Sequence, residues 1–175
     1  MTNTSDKPLR LDRYLANLGY GSRSEVQAII RRGAIRKSDT VMHDPAARIV
    51  PAREHTALRY DDAPLDPPPP LHIALNKPAG YVCSSTDDGA PSIYHLLPER
   101  YCRRKPQLSI AGRLDKDATG LVILTQDGAY AHTLMRGDHA KIYTVRLATA
   151  VRADAPAILA SGTMTLKDES KPLRP

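Results

Sequence analysis

The sequence predicts an α+β protein of two small domains, and three observations carry that reading. Residues 11–30 repeat apolar side chains at helical spacing and then give way to short strand-like runs. The run Asp66-Pro67-Pro68-Pro69-Pro70 excludes helix and central strand and should stiffen into polyproline II. Beyond it lie apolar runs of strand length, so each side of the prolines can own a core.

In the first part, Leu11, Tyr14, Leu15 and Leu18 follow the i, i+3, i+4, i+7 pattern of an amphipathic helix that Gly19 can close. Ser22-Arg23-Ser24-Glu25 matches a capping box, Val26, Ile29 and Ile30 supply the buried stripe, and Gly33 fits the stop. The short turn between these helices packs them against each other. Ala34 to Lys37 then reads as a strand, Ser38-Asp39 as a turn and Thr40 to Met42 as a returning strand.

After the prolines, Leu71 to Leu75 reads as a strand, Asn76 to Gly80 as a turn and Tyr81 to Ser85 as a second strand. Asp87-Asp88-Gly89 marks a loop. Arg103-Arg104-Lys105-Pro106 reads as an exposed basic cluster, equally a solvated loop or a contact for phosphate. Leu121 to Leu124 is a continuous apolar run, so Asp115 just before it should stand on a rigid support at the mouth of a sheet. On residue types alone, an Asp between Arg113 and Lys116 is usually a salt-bridged loop residue.

Composition sets the class. Apolar residues are 41% and charged ones 25% of 175, the mixture of a chain that packs a core. With no Phe or Trp, all aromatic work falls on eight Tyr. The net charge of +6 favours a polyanionic partner. Residues 1–60 hold eleven basic and six acidic side chains, against five and six over 61–110, which places the surplus at the N-terminal end. No segment approaches the roughly twenty apolar residues of a membrane span, and Met1 to Arg10 is too polar for a signal peptide, so no membrane partner is expected and the cytoplasm is the expected compartment. Cys83 and Cys102 read as small buried thiols, and six scattered His without ligand spacing predict no metal.

On the second helix Arg23, Gln27 and Arg31 share a face about a quarter turn from the apolar stripe. With Arg10, Arg13, Arg32, Arg36 and Lys37 nearby, that face is able to follow a phosphate backbone, although from charge alone a solvated helix face is the plainer reading. The order of residues adds to this. Arg10-Leu11-Asp12-Arg13-Tyr14-Leu15, Gly21-Ser22-Arg23-Ser24-Glu25 and Ile29-Ile30-Arg31-Arg32-Gly33 resemble the S4 (alpha-L) RNA-binding fold, with Arg36-Lys37-Ser38-Asp39-Thr40 standing where that fold usually has Val-Asn-Gly. The resemblance implies RNA contacts through Arg10, Arg13, Ser22, Arg23, Gln27, Arg31, Arg32 and Lys37.

The segment Gly112-Arg113-Leu114-Asp115, followed by Thr119-Gly120-Leu121 and an apolar strand, resembles the signature of pseudouridine synthases. Asn76-Lys77-Pro78-Ala79-Gly80-Tyr81-Val82 is similar to that family's first motif, and Lys141-Ile142-Tyr143-Thr144-Val145 to its Lys-x-Tyr-x-Val strand. The chain thus resembles the RsuA/RluB/RluE/RluF family of ribosomal-RNA pseudouridine synthases, with Tyr81 to Asp88 most similar to the RsuA branch, which acts on small-subunit 16S rRNA; a large-subunit target stays open.

That resemblance implies a disordered tail over 1–8, an S4 domain over 9–62, a Pro-rich linker over 63–70 and a catalytic domain over 71–175. The catalytic domain is expected on a mixed, mainly antiparallel sheet. It is expected to be incomplete at its C-terminal end, because the family's later Gly-x-Tyr-His-Gln-Val motif does not occur before Pro175. The implied activity is isomerisation of one uridine, without cofactor, by a monomer acting on ribosomal RNA or a pre-ribosomal particle. Asp115 is the implied catalytic carboxylate, as nucleophile or base, with Arg113 and Tyr143 holding the flipped base. Lys77 reads as structural, and Asp117 as a solvated or helix-capping carboxylate. Two other readings are an S4-type RNA-binding protein whose shortened second domain does no chemistry, and a glycosidase, which lacks a second carboxylate placed opposite Asp115.

Overall fold

The computed structural model describes residues 6–136, 139–165 and 172, in two compact units divided after His139. In the first unit, β1 (Leu9–Arg10) leads into α1 (Leu11–Asn17) and α2 (Arg23–Arg31). Ser22 caps α2 in a full capping box: its Oγ accepts from the Glu25 N–H and Glu25 accepts from the Ser22 N–H. Leu11, Tyr14, Leu15 and Leu18 from the first helix and Val26 and Ile30 from the second are buried together. Each apolar side chain so buried is worth roughly 1.5–3 kcal/mol.

That core is covered by an antiparallel sheet of β2 (Ile35–Lys37), β3 (Thr40–Met42), β5 (Leu58–Tyr60) and β6 (Ala63–Pro64), in the order β3-β2-β5-β6. Strand β4 (Arg48–Ile49) pairs with β1, and α3 (Pro51–Glu54) precedes β5. The helices and the β2–β3 hairpin stand where the sequence puts them. The segment expected as linker over 63–70 begins differently: Ala63–Pro64 is an edge strand, where a proline costs no ladder bond, and Leu65 belongs to the helical core. Of the tail expected over 1–8, residues 1–5 lie outside the described residues.

The second half of this unit is a three-stranded antiparallel sheet ordered β7-β9-β8, from β7 (His72–Lys77), β8 (Ser109–Ala111) and β9 (Gly120–Thr125). Val122 and Leu124 point into a core with Leu71, Cys83, Ile93 and Leu108. Leu121, in what reads as a continuously buried run, is 68% exposed, because alternate residues of a strand face opposite ways. Tyr81 to Ser85 forms no strand; only Val82 bridges to Ser92. Local side-chain bonds replace the ladder there: Ser92 Oγ donates to Ser84 O, and the Ser92 N–H donates to Asp87 Oδ1 at 2.8 Å. Cys83 is buried and Cys102 half-buried, both as free thiols.

The basic cluster at 103–105 is not uniformly exposed. Arg104 is 1% exposed, donating to Gln126 Oε1 at 3.2 Å and to Pro67 O at 2.7 Å with its guanidinium over the Tyr101 ring. Helix α4 (Glu99–Cys102) beside it docks on the first core: Arg100 pairs with Asp66, whose N–H donates to Tyr20 Oη, and the Lys105 N–H donates to Asn17 O at 2.8 Å. The prolines therefore cross a packed junction instead of spanning open solvent. Gly19 sits in it at φ +91°, where an added Cβ would lie 2.0 Å from Arg100 O. Gly19→Ala is expected to cost at least about 2 kcal/mol, read as a lowered urea midpoint; an unchanged midpoint would mean the junction is not packed this way.

In the second unit, α6 (Ala155–Ala160) follows an Arg152–Asp154 ion pair, after α5 (Gly128–Met135) has closed the first unit. The strand expected over Lys141 to Val145 is not formed: residues 141–147 carry no assigned structure, with Ile142, Tyr143, Val145 and Leu147 all exposed. A strand exists only within a ladder, and this segment belongs to none of the assigned sheets. No helix among the described residues is long and apolar enough to cross a membrane.

Candidate active-site loop and basic face

In the β7–β9 register Lys77 stands opposite Gly120, so the turn after β7 and the loop before β9 share one edge of the sheet. Lys77 is fully buried, and its Nζ donates to the carbonyls of Pro78 (3.1 Å), Lys116 (3.0 Å) and Ala118 (2.7 Å). An ammonium carries three donors, and here each meets a main-chain oxygen, which is how a buried charge without a carboxylate partner is held. The Gly80 N–H adds a bond to Lys116 O at 2.9 Å, and the Leu114 N–H donates to Cys83 Sγ at 3.4 Å.

Within this clasp the loop turns on itself, with the Ala118 N–H donating to Asp115 O at 3.2 Å. The Asp115 side chain is exposed and takes part in no ion pair or side-chain hydrogen bond among the described residues. Arg113 and Asp117 are exposed on the same loop. The salt-bridged state usual for such an Asp is thus not found; a carboxylate is presented to solvent on a main chain pinned at three places. Asp115 and Arg113 share one loop of the first unit, and Tyr143 lies in the second unit.

The eight residues expected to meet RNA fall into three groups. Arg10, Arg23 and Gln27 converge on Asp12, which is fully buried. Arg10 grips its carboxylate through Nε (3.1 Å) and Nη2 (2.9 Å), Gln27 Nε2 donates at 2.9 Å and Arg23 Nε at 3.3 Å, and the Arg13 N–H adds a bond at 2.7 Å. The two arginines are therefore partly neutralised, and all three side chains are oriented instead of freely solvated. Ser22 is occupied as the helix cap, Lys37 pairs with Glu54, and Arg32 reaches Tyr60 Oη and Asp61. Arg13 and Arg31 remain exposed, with no side-chain ion pair among the described residues.

The sequence reading did not single out Asp12, although one signal was present: it lies three residues before Leu15 on the buried side of α1, flanked by two arginines. The Arg10 guanidinium, aided by Gln27 and Arg23, holds the Asp12 carboxyl well below the usual carboxylate range. A folded-state pKa depressed below the unfolded value, about 3.9, gives stability that is complete at neutral pH and lost as pH falls through the carboxylate range. Asp12→Asn should then cost about 2 kcal/mol at pH 7, with the difference from wild type shrinking below about pH 4. Unfolding curves of both proteins from pH 3 to 8 check this, and a pH-independent difference would contradict it.

Residues 71–171 match the RNA pseudouridylate synthase family. The whole chain is similar to ribosomal small subunit pseudouridine synthase A of Salmonella typhimurium, 36% identical over 94% of this chain and 71% of that protein, and to the Escherichia coli K12 protein of the same name at 34% over the same shares. A crystal structure of a pseudouridylate synthase superposes with a TM-score of 0.51 at 29% identity, covering 95% of this chain and 70% of that one. These matches take in both the Lys77 clasp and the Asp115 loop, and the chain belongs to the RNA pseudouridylate synthase family, on its RsuA-like side.

Proposed function

We propose that this chain isomerises a uridine of small-subunit ribosomal RNA to pseudouridine. The observation that carries the reading is an exposed, unpaired Asp115 carboxylate on a loop held by a buried Lys77. The reaction breaks the bond from N1 to the ribose carbon, turns the uracil, joins C5 to that same carbon, and moves the C5 proton to solvent while N1 gains one. It needs no net oxidant or reductant, and a carboxylate serves it as nucleophile or as base.

The target base must leave its stack to reach Asp115. Arg113 is the cation beside the extruded nucleotide, and Tyr143 the ring against its face. The first core with α1 and α2 acts as an S4-type docking domain. There Arg13 and Arg31 meet phosphate directly, and Asp12 fixes Arg10, Arg23 and Gln27 in the same surface. Arg32 and Lys37 extend that surface, and Ser22 sets the start of α2. The expected working form is a cytoplasmic monomer on ribosomal RNA or a pre-ribosomal particle.

The test is incubation of the protein with separate small- and large-subunit rRNA transcripts, followed by digestion to nucleosides and mass spectrometry after cyanoethylation of pseudouridine. Product in the small-subunit transcript alone is expected. Product only in the large-subunit transcript would overturn the choice of subunit, and RNA binding without product in either would leave a docking protein that does no chemistry.

A further inference from the structure

A groove of about 710 Å³ runs between the helical core and the segment after α4, within the size range of ligand clefts, roughly 300–1,000 Å³. Arg13, Asn17 and Arg23 stand on one side of it, and Arg103 and Lys105 on the other. No residue lining it is acidic. Arg13 and Lys105 are exposed without a side-chain ion pair among the described residues, while Arg103 pairs with the exposed Glu99 and also feels the Glu25 carboxylate, and Arg23 pairs with the buried Asp12. Arg104 also lines the groove, its guanidinium buried and one nitrogen, Nη1, without a hydrogen-bond partner. The two walls are tied together by the main-chain bond from Lys105 N–H to Asn17 O.

We propose that this groove is a second contact for the RNA substrate, in which a phosphodiester backbone passes from the helical face onto Arg103 and Lys105 of the catalytic half. The proposal rests on the RNA reading above. Its reasons are the excess of positive charge, the lack of any lining carboxylate, and a junction that brings five basic residues from both halves to one cleft. A polyanion relieves that repulsion and gains the entropy of released counterions. A track of this kind sets the distance between the docking helix and the target uridine, because it spans both halves of the unit.

The test is binding of the full chain to a small-subunit rRNA transcript across 50–300 mM salt, for wild type, for Arg103→Ala with Lys105→Ala, and for Arg48→Ala with Arg59→Ala, two exposed arginines not lining the groove. Loss of two phosphate contacts should lower the slope of log affinity against log salt by about 1–2 and weaken binding about tenfold near 100 mM. The Arg48 and Arg59 variant should keep a slope near that of wild type. Single Lys105→Ala, whose main-chain tie is retained, gives about half the effect and guards against a fold change in the double variant. A wild-type slope in the groove variant, or an equal drop in both double variants, overturns the groove while leaving the RNA reading intact. Absence of RNA binding by wild type overturns that reading and the groove with it.

Discussion

Asp115→Asn is expected to lower the rate of uridine isomerisation by about 10³-fold or more, since the amide can neither attack as a nucleophile nor take a proton, and such groups contribute on the order of 10²–10⁴ each. The structure gives this prediction a second half. The Asp115 side chain is exposed and makes no ion pair, and the loop is held by its main chain through Lys77, Gly80 and Leu114. Removing the charge should therefore leave thermal stability within about 0.5 kcal/mol of wild type. Single-turnover rates on an rRNA transcript and a thermal melt on the same preparation check both halves. A variant that stays active, or one that loses activity because it unfolds, would contradict the account in different places.

Lys77→Met is expected to have the largest effect on stability, about 3–5 kcal/mol, although the substitution keeps most of the apolar stem. Three carbonyls at 2.7–3.1 Å lose their common donor: Lys116 O keeps the Gly80 N–H, whereas Pro78 O and Ala118 O lose the Lys77 bond at roughly 1–3 kcal/mol each. Release of a buried charge offsets part of that cost. Because two of the carbonyls belong to Lys116 and Ala118, flanking Asp117 just past the carboxylate, the damage concentrates in the loop. Catalysis should fall more in kcat than in RNA affinity, which is proposed to rest on the helical core and the groove. A melting temperature unchanged in Lys77→Met would show that the ammonium is not the clasp described here.

The parts of this fold that were legible in the sequence are those fixed by near neighbours. Helices α1 and α2 and the β2–β3 hairpin are written in apolar spacing, a capping box and two closing glycines, and all interact within a few residues of themselves. Strands β7 and β9 are visible for the same reason, as short apolar runs bounded by turn residues. The motif around Asp115 was legible through family resemblance, whereas its exposure and freedom from ion pairs are properties of the folded loop.

What escaped the sequence depends on distant partners. Arg104 reads as solvated until Pro67 and Gln126, 37 and 22 residues away, come to meet its guanidinium. Asp12 gathers Gln27 from 15 residues on, and nothing local announces that it will stay charged in a buried site. Ala63–Pro64 looks like linker because its neighbours are prolines, but its ladder partner is Arg59–Tyr60. Tyr81 to Ser85 has strand composition and loses to bonds from Ser92 and Asp87, and the Lys141 to Val145 run has the alternation of a strand but belongs to no assigned sheet.

The claim on which the rest depends is that Asp115 brings about departure of the C5 proton from a uridine in RNA. An rRNA transcript made with tritium at C5 of every uridine tests it most directly, because isomerisation must release that label to water, whereas binding alone releases none. The account predicts release by wild type, approaching one equivalent per transcript, and none above background with Asp115→Asn at equal RNA occupancy. Equal release by both proteins would contradict it.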